Sequence, residues 1–180
     1  MGVPQEVTIA VLAVLVVGAL VGMVAGWRRR TARTGAALGA LPAPPEQLGD
    51  AVTTPIAASY VATTSHDAWL ERVTAHGLGA RGRATVTVHA SGLAVERAGA
   101  PDLVLPAAAL RRVARSSGMV GKFVGDASIV VVTWAASGPD GTEVLLDTGL
   151  RPDHRSERDL LEEAVRSILA TTDPAPKEQQ

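Results

Sequence analysis

The chain has 180 residues, a formal net charge of -1 and no cysteine, which leaves room for one domain of ordinary size beside a short additional segment. Without cysteine there is no disulfide framework, thiolate nucleophile or cysteine metal site. Ala51 to Thr172 carries 12 Lys or Arg against 13 Asp or Glu, a balance that excludes nucleic-acid binding through bulk charge.

Val7 to Trp27 is an unbroken apolar run without a charge. As a helix rising about 1.5 Å per residue it extends roughly 31 Å, the thickness of a hydrocarbon core, so one membrane crossing is expected. Arg28, Arg29, Arg30 and Arg33 follow with no acid among them, whereas the N-terminal side offers only Glu6. The positive-inside bias then puts the N-terminus outside and the rest of the chain in the cytoplasm, at the plasma membrane. A secretory signal peptide has its positive charge before the apolar core, the reverse of this order. Gly18, Gly22 and Gly26 recur every fourth residue. They are either a packing stripe, for a homodimer or for the helices of another protein, or the ordinary abundance of glycine in such helices.

Residues 1–30 therefore form a transmembrane helix with its basic flank. Residues 31–55, rich in Ala, Gly and Pro and broken by Pro42, Pro44 and Pro45, read as a flexible linker. The domain is expected over residues 56–172, with a disordered polar tail at 173–180. Its first strand covers Ile56 to Thr63. Thr64-Ser65-His66-Asp67 then resembles a capping box, and Trp69, Leu70 and Val73 at helical spacing predict a short helix ending at Gly77 and Gly79. Ser65, His66 and Asp67 carry the letters of a catalytic triad, but sequence neighbours cannot converge on one reacting atom.

From Arg83 the apolar period becomes two: Val86 and Val88, a turn at Ala90-Ser91-Gly92, then Leu93 and Val95 predict a half-buried hairpin. His89 falls on its polar phase. Asp102 to Pro106 and Leu110 to Arg115 predict two further strands. Ala127 to Ala135 is apolar on both phases, as a strand covered on both faces would be, and Gly138-Pro139-Asp140-Gly141 turns it into a strand from Glu143 to Leu150. Asp153 or Ser156 is expected to cap a last helix whose Leu160, Leu161, Ala164, Val165, Ile168 and Leu169 make one apolar stripe. About seven short strands followed by an amphipathic helix describe an all-β barrel or sandwich with a plugged end.

GLGARGRATVTVHASGLAVER, the DLVLPAAALRRV segment, GMVGKF and the VVVTW and LLDTG strands, in this order, resemble the single-span actinobacterial membrane proteins that carry a bacterial pleckstrin homology-like domain. The resemblance implies one transmembrane helix followed by a bent antiparallel barrel of about seven strands capped by the C-terminal helix, an all-β/α+β domain. It implies no enzymatic activity, although members are often labelled loosely as transporters or exported proteins.

No catalytic, cofactor-binding or metal-binding set is expected. The four histidines lie singly, without metal-ligand spacing. GMVGKF lacks the first glycine and the hydroxyl of a phosphate loop, since Ser116 and Phe123 stand in those places. The stretch from Leu103 to Gly125 has no acid but contains Arg111, Arg112, Arg115 and Lys122. Together with Arg81 and Arg83 these either form a patch for anionic headgroups or scatter as solvated charges. The expected function is a membrane-tethered, non-enzymatic interaction module that binds an unidentified protein or anionic lipid headgroups and needs no cofactor. The alternative is an accessory subunit of a transporter or membrane enzyme complex.

Overall fold

A computed structural model of the chain describes residues 9, 11–12, 14–26, 38–68, 70–120, 122–123 and 127–172. Residues 14–26 form an uninterrupted helix, α1. After it come β1 (Ile56–Ser65), β2 (Gly82–His89), β3 (Gly92–Arg97), β4 (Leu103–Pro106), β5 (Leu110–Ser116), β6 (Gly118–Met119), β7 (Lys122–Phe123), β8 (Ile129–Ser137), β9 (Glu143–Pro152) and α2 (Arg155–Thr172). Seven of these strands make one sheet in the order β4-β3-β2-β1-β9-β8-β5, antiparallel throughout, and β6 and β7 pair as a separate small hairpin. The expected seven-stranded sheet followed by a C-terminal helix is therefore present.

The alternation of side chains sorts each strand into two faces. Inward lie Ile56, Ala58 and Tyr60 of β1, Val86 and Val88 of β2, Leu93 and Val95 of β3, Leu103 and Leu105 of β4, Val130, Val132 and Trp134 of β8, and Leu146 and Leu150 of β9. Side chains from both ends of the sheet share this one cluster, so the sheet curls around it. β4 and β5, consecutive in the chain, are joined by a 3-10 turn at Ala107–Ala109 and do not pair. Into the same cluster α2 inserts Leu161, Ala164, Val165 and Ile168, while Leu169 packs against its edge. Leu160, assigned to the stripe from the sequence, is exposed instead.

The inner face also holds a polar chain. Trp134 Nε1 donates to Thr148 Oγ1 at 2.9 Å, Thr148 and Thr63 hydroxyls meet at 2.7 Å, Thr63 and Tyr60 hydroxyls at 2.6 Å, and Tyr60 donates to the Leu78 carbonyl at 2.9 Å. Because Tyr60 has a single proton, given to Leu78, the proton between Thr63 and Tyr60 comes from Thr63, and Thr148 in turn donates to Thr63. Each buried hydroxyl thus accepts once and donates once. Burial pushes the Tyr60 phenol up from its ordinary range, against the opposing effects of Thr63 and of Arg97. Arg97 lies 4.8 Å above the ring centre.

Three expectations are corrected. The helix predicted after Thr64 is not formed among the described residues: residues 70–74 run back along β1 and lead into a 3-10 turn at Ala75–Gly77. The reason is the overhang of β1, which pairs with β2 only through Tyr60. Its free edge is filled by Val73, whose N–H donates to the Thr63 carbonyl at 2.9 Å, and by Arg72 opposite Thr64, so the backbone groups that a helix would satisfy internally are satisfied by the strand. Trp69 lies outside the described residues. Secondly, neither Asp153 nor Ser156 caps α2. Asp153 instead takes both ends of the Arg83 guanidinium, and Glu157 accepts the N–H of His154 at 3.2 Å, the reciprocal arm of a capping box.

The third concerns the linker. From residue 38 it is laid against the domain: Leu38 is buried in the core, Gly39 donates to the Ser137 carbonyl at 2.8 Å, and residues 47–53 hydrogen-bond to Val88, His89, Ala90 and Ser91. The tail at 173–180, Trp27, and the arginines Arg28, Arg29, Arg30 and Arg33 lie outside the described residues. Among the described residues no helix is long and apolar enough to cross a membrane. α1, the described part of the expected span over Val7–Trp27, leaves its large apolar side chains 51% to 71% exposed.

Candidate functional site

The basic residues singled out in the sequence go to different places. Arg81 is exposed between the 3-10 turn and β2. Arg83 pairs with Asp153 at 2.8 Å, and Arg111 with Glu143 at 2.8 Å. Arg115 turns toward α2, where it bonds Asp159 and, at 2.5 Å, Glu162, which also takes Arg166 at 2.5 Å. Hydrogen bonds from these guanidinium groups hold the carboxyls of Glu143, Asp159 and Glu162 below the usual carboxylate range. Lys122 belongs to β7. Three of the cations are therefore already matched by acids from β9, α2 and the β9–α2 turn, which the acid-free stretch around them did not reveal. Arg112 differs: it is exposed, and no ion pair holds it among the described residues.

Arg112 stands at one end of a row across the outer face of the sheet. The register aligns Thr64 of β1 with Asp147 of β9, Asp147 with Thr133 of β8, and Thr133 with Arg112 of β5. Thr133 Oγ1 donates to Asp147 Oδ1 at 2.6 Å, and His66 Nδ1 meets Asp147 Oδ2 at 2.9 Å. With a carboxylate as partner, Nδ1 carries the proton. Both carboxylate oxygens are thus engaged, and the carboxylate holds His66 and Thr133 in place. Thr64, 1% exposed, has no hydrogen-bond partner for its hydroxyl among the described residues.

The neighbouring row is apolar: Ala62, Gly149, Val131 and Ala114 follow one another across the same strands. Met119 of β6 packs on it. A Cβ at Gly149 would collide with Met119 Sδ and press on Ile129, so the glycine provides the space in which the hairpin sits against the sheet. Between this cover and the polar row lies a cavity of about 260 Å³ lined by Thr64, His66, Arg112, Met119, Thr133 and Asp147 among others. The sequence did signal these residues. Thr133 is a polar interruption in a strand otherwise apolar on both phases, and Asp147 follows the apolar Val144, Leu145 and Leu146; a polar group on a covered face requires a partner. Their convergence with His66, instead of the neighbouring Asp67, follows only from strand pairing.

Among the described residues no three His, Asp or Glu side chains converge in a way that would hold a metal ion. A family model described as bacterial PH domain-like matches residues 38–166, a range that begins at the buried Leu38 and ends within α2. Thirteen chains of solved structures match. One, in the structure titled "The 8S snRNP Assembly Intermediate", superposes with a TM-score of 0.45 and 13% identity over 78% of this chain and 95% of that one. No curated protein matches.

Proposed function

We propose, from the premise that the chain belongs to the bacterial PH domain-like family, that it is a membrane-tethered, non-enzymatic interaction module. The observation that carries this reading is the succession of two unlike parts. A helix exposes Val14, Leu15, Val16, Val17, Leu20 and Val21 with nothing packed on them, and a domain that buries its apolar side chains begins at Leu38. A lipid interior is the environment that matches such a helix. Residues 27–37, at no more than about 3.5 Å each, reach at most roughly 38 Å. The domain then works within about a domain diameter of the bilayer, and the Arg28–Arg30 and Arg33 cluster orients it toward the cytoplasm. Its partner is a protein, or anionic headgroups reached through Arg81, Arg112 and Lys122.

A second reading, an accessory subunit of a larger membrane complex, is favoured by Gly18, Gly22 and Gly26, where an added Cβ would meet nothing within 4 Å. That leaves one stripe of α1 open to a neighbouring helix. The test is a reporter fused after Gln180 in cells. A cytoplasm-dependent reporter active in a carbonate-resistant membrane fraction is expected. An active export-dependent reporter overturns the orientation, and a chain recovered in the soluble fraction overturns the tether.

A further inference from the structure

We infer that the cavity on the outer face of β1, β9, β8 and β5 is a binding site for a small amphiphilic organic anion, a carboxylate or phosphate ester on a short apolar body. The inference goes beyond the tethered-module reading and does not rest on the tether, because every group it uses belongs to the folded domain.

The groups differ in what they have left to offer. Asp147 has one donor on each oxygen, Thr133 and His66, and these hold it in place on the sheet. Arg112 offers a guanidinium fork with no acid on it among the described residues, suited to carboxylate or phosphate geometry. Two strand spacings, about 10 Å, separate its position from that of Asp147, so an anion on Arg112 is distant from this partly buried carboxylate. At the other end Thr64 lines the cavity, and its buried hydroxyl has no partner among the described residues; such a group is satisfied by what enters beside it. Between the ends, the surface supplied by Val131, Ala114 and Met119 is apolar. A ligand complementary to this order has its negative group at β5, an apolar middle under Met119 and a hydrogen-bonding atom at β1. The cavity, about 260 Å³, suits a body smaller than drug-sized ligands, whose sites run from about 300 Å³ upward.

The experiment is methyl NMR of the full chain in phosphatidylcholine nanodiscs, reading the Met119 and Val131 methyls during titration with octanoate, octyl phosphate, octanol, octylammonium and 8-hydroxyoctanoate. Octanoate and octyl phosphate should shift both methyls saturably, and octanol and octylammonium should do so weakly. Arg112→Gln should weaken octanoate about tenfold, the worth of a hydrogen bond to a charged group, while Arg155→Gln, at an exposed position of α2 outside the cavity lining, leaves it unchanged. 8-Hydroxyoctanoate should bind more tightly than octanoate, and Thr64→Val should remove that advantage. A further arm adds phosphatidylglycerol to the nanodiscs: the same methyl shifts without added ligand identify a lipid as the source of the anion, and their absence identifies a soluble one, either being consistent with the site. The proposal is overturned if no probe moves Met119 and Val131, if octanol binds as tightly as octanoate, or if Arg112→Gln binds octanoate as the parent does.

Discussion

Thr63 and Thr64 are chain neighbours, both almost wholly buried, and they face opposite sides of the same sheet. Thr63 looks inward and takes part in a chain of hydroxyls that runs from the Trp134 indole to the Leu78 carbonyl with every member satisfied. Thr64 lies on the outer face in the lining of a cavity, and its hydroxyl has no partner among the described residues. The difference separates two uses of buried polarity. On the inner face it is complete, so it holds strands together and has nothing left to recognise. On the outer face Thr133, Asp147 and His66 are fixed among themselves, while Thr64 and Arg112 remain to be matched from outside. A fully satisfied network rigidifies, whereas an open one is costly unless something fills it.

The strongest way to break the inner face is Leu161→Asp. Leu161 is fully buried in the stripe with which α2 enters the core, and an unpaired charge there should cost several kcal/mol of a total that is about 5–15 for such domains. Chemical denaturation followed by circular dichroism should show a loss of that size; an unchanged midpoint would mean that α2 does not close the sheet.

The comparison is sharpened by making one substitution at adjacent positions. Thr63→Val strands the Thr148 proton and removes a donor from Tyr60, and should cost about 1–3 kcal/mol. Thr64→Val removes a group that has no partner, and should be neutral or stabilising by up to about 1 kcal/mol. Denaturant midpoints of the two variants should therefore move differently. Equal losses at both positions would show that Thr64 is satisfied in solution, and the distinction between the faces would collapse.

A smaller effect is expected at Gly149. Alanine there forces aside the end of the Met119 side chain and crowds Ile129, an overpacking cost of about 1 kcal/mol, since a flexible thioether yields readily. Methyl spectra should place the disturbance at Met119 and leave Leu161 and Val165 alone. Should the inner-face methyls shift as much, the two sides of the sheet are not packed independently.

How much of this was legible follows from which interactions are local. The hairpin of β2 and β3 was plain because Val86, Val88, Leu93 and Val95 repeat at the strand period, and α2 because its stripe repeats at the helical one. The helix expected after Ser65 failed because its residues carry a helix-start pattern while the unpaired overhang of β1 competes for their backbone, a tertiary demand no local pattern contains. The strap from Leu38 was hidden for the same reason: Pro42, Pro44 and Pro45 exclude regular structure, but they do not exclude packing. At the candidate site the residue types were visible as Thr133 and Asp147 within apolar strands. Their alignment with Thr64 and Arg112 depends on registers set by three strand pairings and by bulges after Tyr60 and Leu110, which composition and period do not supply.

The smallest expected effect lies where the two faces meet. Arg115, on the edge strand β5, ties that strand to α2 through Asp159 and Glu162, and its hydrogen bonds hold both carboxyls below their usual range. A carboxyl whose value is lower in the folded chain than in the unfolded one binds protons more readily when unfolded, so its contribution is complete above the unfolded value, about 4, and is lost as pH falls through the lower folded value. Arg115→Gln should thus lower the melting midpoint slightly near neutral pH, and the difference from the parent should close as the solution is acidified below about pH 4. The ends of these groups are exposed enough that solvent screens them, and the Glu162 pair falls within the range below about 1 kcal/mol found for surface ion pairs. Salt should shrink the difference as acid does. A gap that persists at acid pH would mean that Arg115 acts through packing of its stem rather than its charge, and the link between β5 and α2 would then be apolar.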